Sequence, residues 1–152
     1  MIGRFERFSV FISDISRYWH KISAKEMEKH GLKAVHSIYL TTMAQYPQGM
    51  TAPQICELCG KDKSDVSRMM RILDKKGLVV KEGGYQNQYN GLYRLTEEGM
   101  AVAEEVRGRA SLAVELSGRD LTDETRAVMY RALESIAGNL RDISEKGLPD
   151  EE

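Results

Sequence analysis

Residues 51–95 read TAPQICELCGKDKSDVSRMMRILDKKGLVVKEGGYQNQYNGLYRL, and this stretch decides the fold. It opens with a short helix. Thr51 stands just before it and Gln54 three residues on, so each side chain can bond the other's backbone N–H in a capping box. Pro53 falls in the first turn, where no amide hydrogen is needed. Ile55, Cys56 and Cys59 share the expected inward face, and Gly60 ends the helix. After about three residues of turn, Asp62 or Ser64 caps a second helix. Two short helices joined by a glycine-containing turn form a helix-turn-helix.

The second helix carries the functional signal. Val66, Met70 and Leu73 cluster on one side with Met69 beside them, while Ser64, Arg68, Arg71 and Lys75 fall opposite. An apolar stripe backed by two arginines, a serine and a lysine suits a helix lying in the major groove of DNA. There Arg pairs with guanine, and Ser reaches a base edge or a phosphate. A solvated basic face of no special function has the same composition. The short helix before it and the hairpin after it favour the DNA-reading assignment.

Gly77 has the position of a C′ cap. Leu78-Val79-Val80-Lys81 then reads as a strand, and Leu92-Tyr93-Arg94-Leu95 as its partner. The loop between them, Glu82 to Gly91, is rich in Gly, Gln and Asn and long for a hairpin, as functional loops are. Helix-turn-helix plus hairpin is a winged helix. The expected fold class is mainly α with a small β-hairpin, the winged helix-turn-helix being flanked by N- and C-terminal dimerisation helices.

Charge is distributed to match. The net charge over 152 residues is −1, yet residues 61–81 hold seven Lys/Arg against three Asp. Residues 96–152 hold seven Arg/Lys against fourteen Asp/Glu. The basic excess thus sits on the reading element, and the acidic C-terminal third is expected to face away from DNA. With 41% hydrophobic and 30% charged residues, the composition is that of an ordinary soluble globular chain. No apolar run has membrane-spanning length, and Arg4, Glu6, Arg7 and Asp14 do not suit a signal peptide. A cytoplasmic location without membrane association is expected.

Outward from the winged helix, Phe5, Phe8, Ile12, Ile15, Trp19 and Ile22 recur at spacings of 3 and 4 along a helix running from about Arg4 to Lys29. A second helix is expected over Leu32 to Gln45, with Val35, Ile38, Thr42 and Tyr46 on one face. Met50-Thr51 suits a short third strand. Beyond the hairpin, Thr96 caps a helix in which Ala103, Val106, Ala110, Ala113 and Ser117 form a seam of small residues, as in a connector crossing a partner. Gly118 stops it. Thr122 caps a last helix whose seam is Met129, Leu133, Ile136, Leu140 and Ile143. One chain offers little core for two such terminal stripes, whereas a twofold dimer buries them together. Two recognition helices would then enter major grooves about 34 Å apart on a palindromic operator of double-stranded DNA. The division expected is 1–46 for N-terminal dimerisation and support helices, 47–95 for the DNA-binding unit, 96–148 for C-terminal dimerisation helices and 149–152 for a tail.

The run Thr51…Ile55-Cys56…Gly60…Lys63-Ser64…Val66-Ser67-Arg68…Leu73…Lys76-Gly77-Leu78-Val79, followed by Leu95-Thr96-Glu97-Glu98-Gly99, resembles the MarR family of transcriptional regulators. The chain also fits the length and order of that family. It departs at the wing, where the family usually has an Asp/Arg-rich tip and this chain has uncharged Gly83 to Gly91. The resemblance implies a small aromatic or anionic effector bound between dimerisation helices and the winged helix, with Tyr18, His36 and Tyr39 as candidate lining residues.

The DNA-contacting residues expected are Lys63, Ser64, Ser67, Arg68, Arg71 and Lys75 on the helix and Gln86, Asn87, Gln88, Tyr89 and Asn90 on the wing. Cys56 and Cys59 form a CxxC, which can be a dithiol redox pair or half a zinc site. No second CxxC completes a zinc site, and buried thiols of the core are the simpler reading. No catalytic motif is present, and no metal or cofactor is expected. The function expected is that of a homodimeric, sequence-specific DNA-binding regulator, a ligand-responsive repressor rather than an enzyme. The alternatives are a winged-helix protein-interaction module without DNA binding, and a thiol redox sensor through Cys56 and Cys59.

Overall fold

A 25-residue helix, α1 (Arg4–Glu28), begins the chain, which is described by a computed structural model over residues 3–83 and 91–149. Met27 is the one buried residue of α1. Gly31, in the left-handed region at φ 66°, turns the chain beyond the helix. The second helix starts later than its periodicity suggests. Lys33 is extended, and its N–H donates to His36 Nδ1 at 2.9 Å, which sets up a 3-10 turn at Ala34–His36. Only then does α2 (Ser37–Met43) follow.

The face of α2 also differs from the expected one. His36, Tyr39, Leu40 and Met43 are buried, whereas Val35, Ile38 and Tyr46 are exposed. Both sides of this segment carry apolar residues at helical spacing, so periodicity alone does not choose between them.

α3 (Ala52–Cys59) has the expected capping box: Gln54 N–H donates to Thr51 Oγ1 at 3.4 Å, and Thr51 N–H to Gln54 Oε1 at 2.9 Å. Gly60 closes the helix at φ 63°. α4 (Lys63–Lys75) is capped by Asp62, whose carboxylate accepts from Asp65 N–H at 2.8 Å. Its C-terminus is a Schellman motif: Leu78 N–H bonds Leu73 O at 3.0 Å and Gly77 N–H bonds Asp74 O at 2.9 Å. Gly77 supplies the positive φ of 73°.

β1 (Val79–Glu82) pairs antiparallel with β2 (Leu92–Leu95), in the register Val79–Leu95, Val80–Arg94, Lys81–Tyr93 and Glu82–Leu92. The expected third strand is a single bridge, Met50 to Tyr93, with reciprocal 2.8 Å bonds. Thr96 Oγ1 then donates to Gly77 O at 2.7 Å and accepts from Gly99 N–H at 3.0 Å, tying the start of α5 (Glu97–Ser117) to the end of α4.

The core gathers Met27, Tyr39, Leu40, Met43, Met50, Ile55, Val66, Met69, Met70, Leu73, Leu78, Val79 and Leu95 with Ala103 and Val106 of α5. Ala103 and Val106 of the expected seam therefore pack into this chain's own core, while Ala110 and Ala113 are half-buried and Ser117 is exposed.

The chain divides into two compact units, residues 1–111 and 112–152. The first contains that core. In the second, Thr122 caps α6 (Asp123–Lys146), and Arg126 reaches back to donate to Gly118 O at 2.9 Å. No residue of α6 is buried, and Leu133, Ile136, Leu140 and Ile143 stand exposed along it.

Candidate nucleic-acid interface

Helix α4 sorts its side chains as the sequence implies. Val66, Met69, Met70 and Leu73 face the core, and Lys63, Ser64, Ser67, Arg68, Arg71 and Lys75 are all exposed. The six helix residues expected to touch DNA thus lie on one exposed helix. Their polar ends project from an element held at both termini by hydrogen bonds. Gln86, Asn87, Gln88, Tyr89 and Asn90 lie outside the described residues.

Arg68 donates through Nη2 to Asp65 Oδ1 at 2.6 Å, one turn earlier on the same helix. The Asp65 carboxyl is held below the usual carboxylate range, first by the hydrogen bond from Tyr39 and then by Arg68. On the hairpin, Arg94 pairs with Glu82, and the Lys81 ammonium stands 5.4 Å from the Tyr93 ring centroid.

Between α3, the start of α4 and the hairpin lies a cleft of about 590 Å³, its wall including Pro53, Cys56, Val66, Ser67, Lys81 and Tyr93. Its charged lining is mixed, with Lys61, Lys63 and Lys81 beside Glu57 and Asp62.

The two cysteines have different surroundings. Cys56 is half-buried and opens on the cleft; Cys59 is buried, with Sγ 4.0 Å from Ile38 O. Burial pushes the Cys59 thiol up, away from the reactive thiolate. Among the described residues, no group of His, Cys, Asp or Glu is placed to hold a metal ion.

The three residues suggested for an effector pocket also differ. Tyr18 is exposed on α1, with its ring against Arg17. Tyr39 is 1% exposed and its hydroxyl is bonded to Asp65. His36 is buried, its Nδ1 occupied by Lys33 N–H and its Nε2 without a hydrogen-bond partner among the described residues. Burial, then Lys76 and Lys33, push its pKa down.

Sequence reasoning missed the chain of hydrogen bonds from Tyr39 through Asp65 to Arg68. An Asp three residues before Arg68 was a local signal for half of it. The other half joins residues 26 apart and needs the tertiary fold.

The profile of the IclR helix-turn-helix domain matches residues 40–83, which span the end of α2 through β1. No curated protein matches the chain. Among solved structures, a MarR-family transcription regulator superposes with a TM-score of 0.83 at 14% identity, covering 95% of each chain.

The chain has the MarR-family fold.

Two further structures of this fold are informative. A MarR-family regulator from Listeria monocytogenes, solved with a 26mer DNA, has a TM-score of 0.76 at 22% identity over 100% of both chains. CouR from Rhodococcus jostii RHA1, bound to p-coumaroyl-CoA, has a TM-score of 0.71 at 22% identity, covering 86% of this chain and 91% of CouR. The MarR fold is mostly helical with one antiparallel hairpin, as the sequence implies.

Proposed function

We propose that this chain is a MarR-type transcription regulator, a homodimer that reads a palindromic operator and represses until a small aromatic or anionic effector binds. The observation that carries the DNA-reading assignment is the exposed Ser64, Arg68, Arg71 and Lys75 face of a helix whose other face is core. Lys63 and Ser67 join it near the helix start. The Listeria structure with DNA and the CouR structure with p-coumaroyl-CoA support the two kinds of ligand by likeness of fold. Residues 47–95 would form the DNA-reading unit, with residues 86–90 following the minor groove.

Dimerisation is supported by the apolar stripe of α1, where Phe5 is 77% and Ile15 64% exposed, and by that of α6. Burying one large apolar side chain is worth about 1.5–3 kcal/mol, so two such stripes favour association. The experiment is selection of bound duplexes from a random pool at two salt concentrations. An inverted repeat with half-sites one helical turn apart is the expected product. Sequence-blind retention that vanishes with salt would overturn the assignment.

A further inference from the structure

Arg68 is tied to the core through a single carboxylate. Its Nη2 bonds Asp65 Oδ1 at 2.6 Å, and Asp65 Oδ2 accepts from the Tyr39 hydroxyl. Tyr39 comes from α2 and is fully buried, while the Arg68 side chain is 66% exposed and that of Asp65 23%. Backbone geometry adds to the restraint, because Asp65 N–H is itself held by the Asp62 cap at 2.8 Å.

An ion pair one turn apart on a helix surface is ordinarily weak, because both side chains must give up rotamer freedom to form it. Here Asp65 is bonded on both carboxylate oxygens, and one of its partners is a ring fixed in the core. The orientation of Asp65 is therefore set before Arg68 meets it. Arg68 retains four of its five N–H donors, and pairing with guanine needs only two of them on one edge, correctly aimed. The carboxylate also offsets part of the guanidinium charge. That lowers attraction to phosphate, the part of binding that ignores sequence.

We infer that Tyr39 is a positioning residue for base reading: through Asp65 it fixes the direction of the Arg68 guanidinium, so that Arg68 discriminates between base pairs more than it attracts DNA in general. This rests on the DNA-reading assignment of α4. Unlike a bolt that only joins α2 to α4, such a role changes the ratio of specific to non-specific affinity, and it acts through Arg68 alone.

The test uses the full chain, the duplex it selects from a random pool and a scrambled duplex of equal length. Tyr39→Phe keeps the ring and removes the hydroxyl. The specific affinity should fall about five- to tenfold, the lower part of the range of one bidentate base contact. Affinity for the scrambled duplex should stay constant or rise. In an Arg68→Ala background, Tyr39→Phe should change neither affinity further. Should Tyr39→Phe fail to fold, Asp65→Ala removes the bridge from its other side: the ratio of specific to scrambled affinity should fall with Arg68 present and stay constant in an Arg68→Ala background, where loss of the carboxylate shifts both affinities alike. An unchanged specificity ratio, or a loss that persists without Arg68, overturns the inference while leaving α4 as the reading helix. A wild-type chain that prefers no duplex overturns the DNA-reading assignment and the inference with it.

Discussion

Gly99 lies against the carbonyl of Leu78, so closely that a Cβ built on it would stand 2.0 Å from that oxygen. The same oxygen accepts from Thr96 N–H at 3.0 Å, so it cannot withdraw without losing a bond. Gly99→Ala should therefore push α5 off the end of α4 and destabilise the fold by about 1–3 kcal/mol, the usual range for overpacking. Chemical denaturation checks this; an unchanged midpoint at unchanged slope would show that the contact yields freely.

Arg68 and Lys75 should fail in different ways. Arg68→Ala should weaken operator binding by about 1–3 kcal/mol and relax base preference at one position in each half-site. Lys75→Ala, the loss of a phosphate contact, should weaken all duplexes alike and reduce the salt slope by about 1. Titrations of selected and scrambled duplexes at several salt concentrations separate the two. Identical behaviour of the variants would argue that α4 only attracts DNA.

The local grammar of the winged helix was legible because its signals are short-range. Thr51 with Gln54, Gly60, and Gly77 before Leu78 act within a few residues, and each stands in the role its chemistry suggests. Asp62 and Ser64 were equal candidates for the cap of α4, and Asp62 holds it. Three features of the backbone and core were not legible, each for its own reason. The start of α2 is set by an imidazole accepting from Lys33 N–H, and histidine is not among the usual capping side chains. Its buried face was ambiguous because Val35 and Ile38 compete with Tyr39 and Leu40. The burial of Ala103 and Val106 depends on where α5 returns, which the spacing of small residues does not encode. On α4, sequence placed Lys63, Ser64, Ser67, Arg68, Arg71 and Lys75 on the exposed side but did not reveal the support behind Arg68.

His36 gives the fold a pH dependence on the acid side. Its folded pKa lies below the ordinary value of 6.5, first because of burial and then because of Lys76 and Lys33. Above 6.5 the imidazole is neutral in both states and adds no slope. As pH falls below 6.5 the unfolded chain takes up the proton first, so stability falls until the folded pKa is passed. The slope contributed stays below about 1.4 kcal/mol per pH unit, the limit for one whole proton. Denaturant titrations between pH 7 and 5, beside a His36→Gln variant, should show this component in the wild type and not in the variant. Equal slopes would place the titration elsewhere.

The exposed stripes of α1 and α6 should govern association. Ile15→Arg or Leu140→Arg, each placing a charge on an apolar stripe, should raise the dimer dissociation constant at least about tenfold. Sedimentation velocity over a concentration series measures this. Operator affinity should fall in step, because one reading helix cannot span two half-sites. A wild-type chain that sediments as a monomer at high concentration would exclude a stable dimer.

The core beneath the reading helix is rich in thioether: Met27, Met43, Met50, Met69 and Met70 all belong to it. Straight-chain methionine has three rotatable bonds and a polarizable sulfur, and it refills a gap that a stiff β-branched side chain would leave open. Capped firmly at both ends, α4 thus rests on a compliant bed. Were α4 to lie in a groove of slightly different width, as the proposed function has it, rotamer changes of these methionines would let it adjust without breaking a backbone bond. Tolerance of imperfect half-sites would then have its origin beneath the helix rather than on its exposed face.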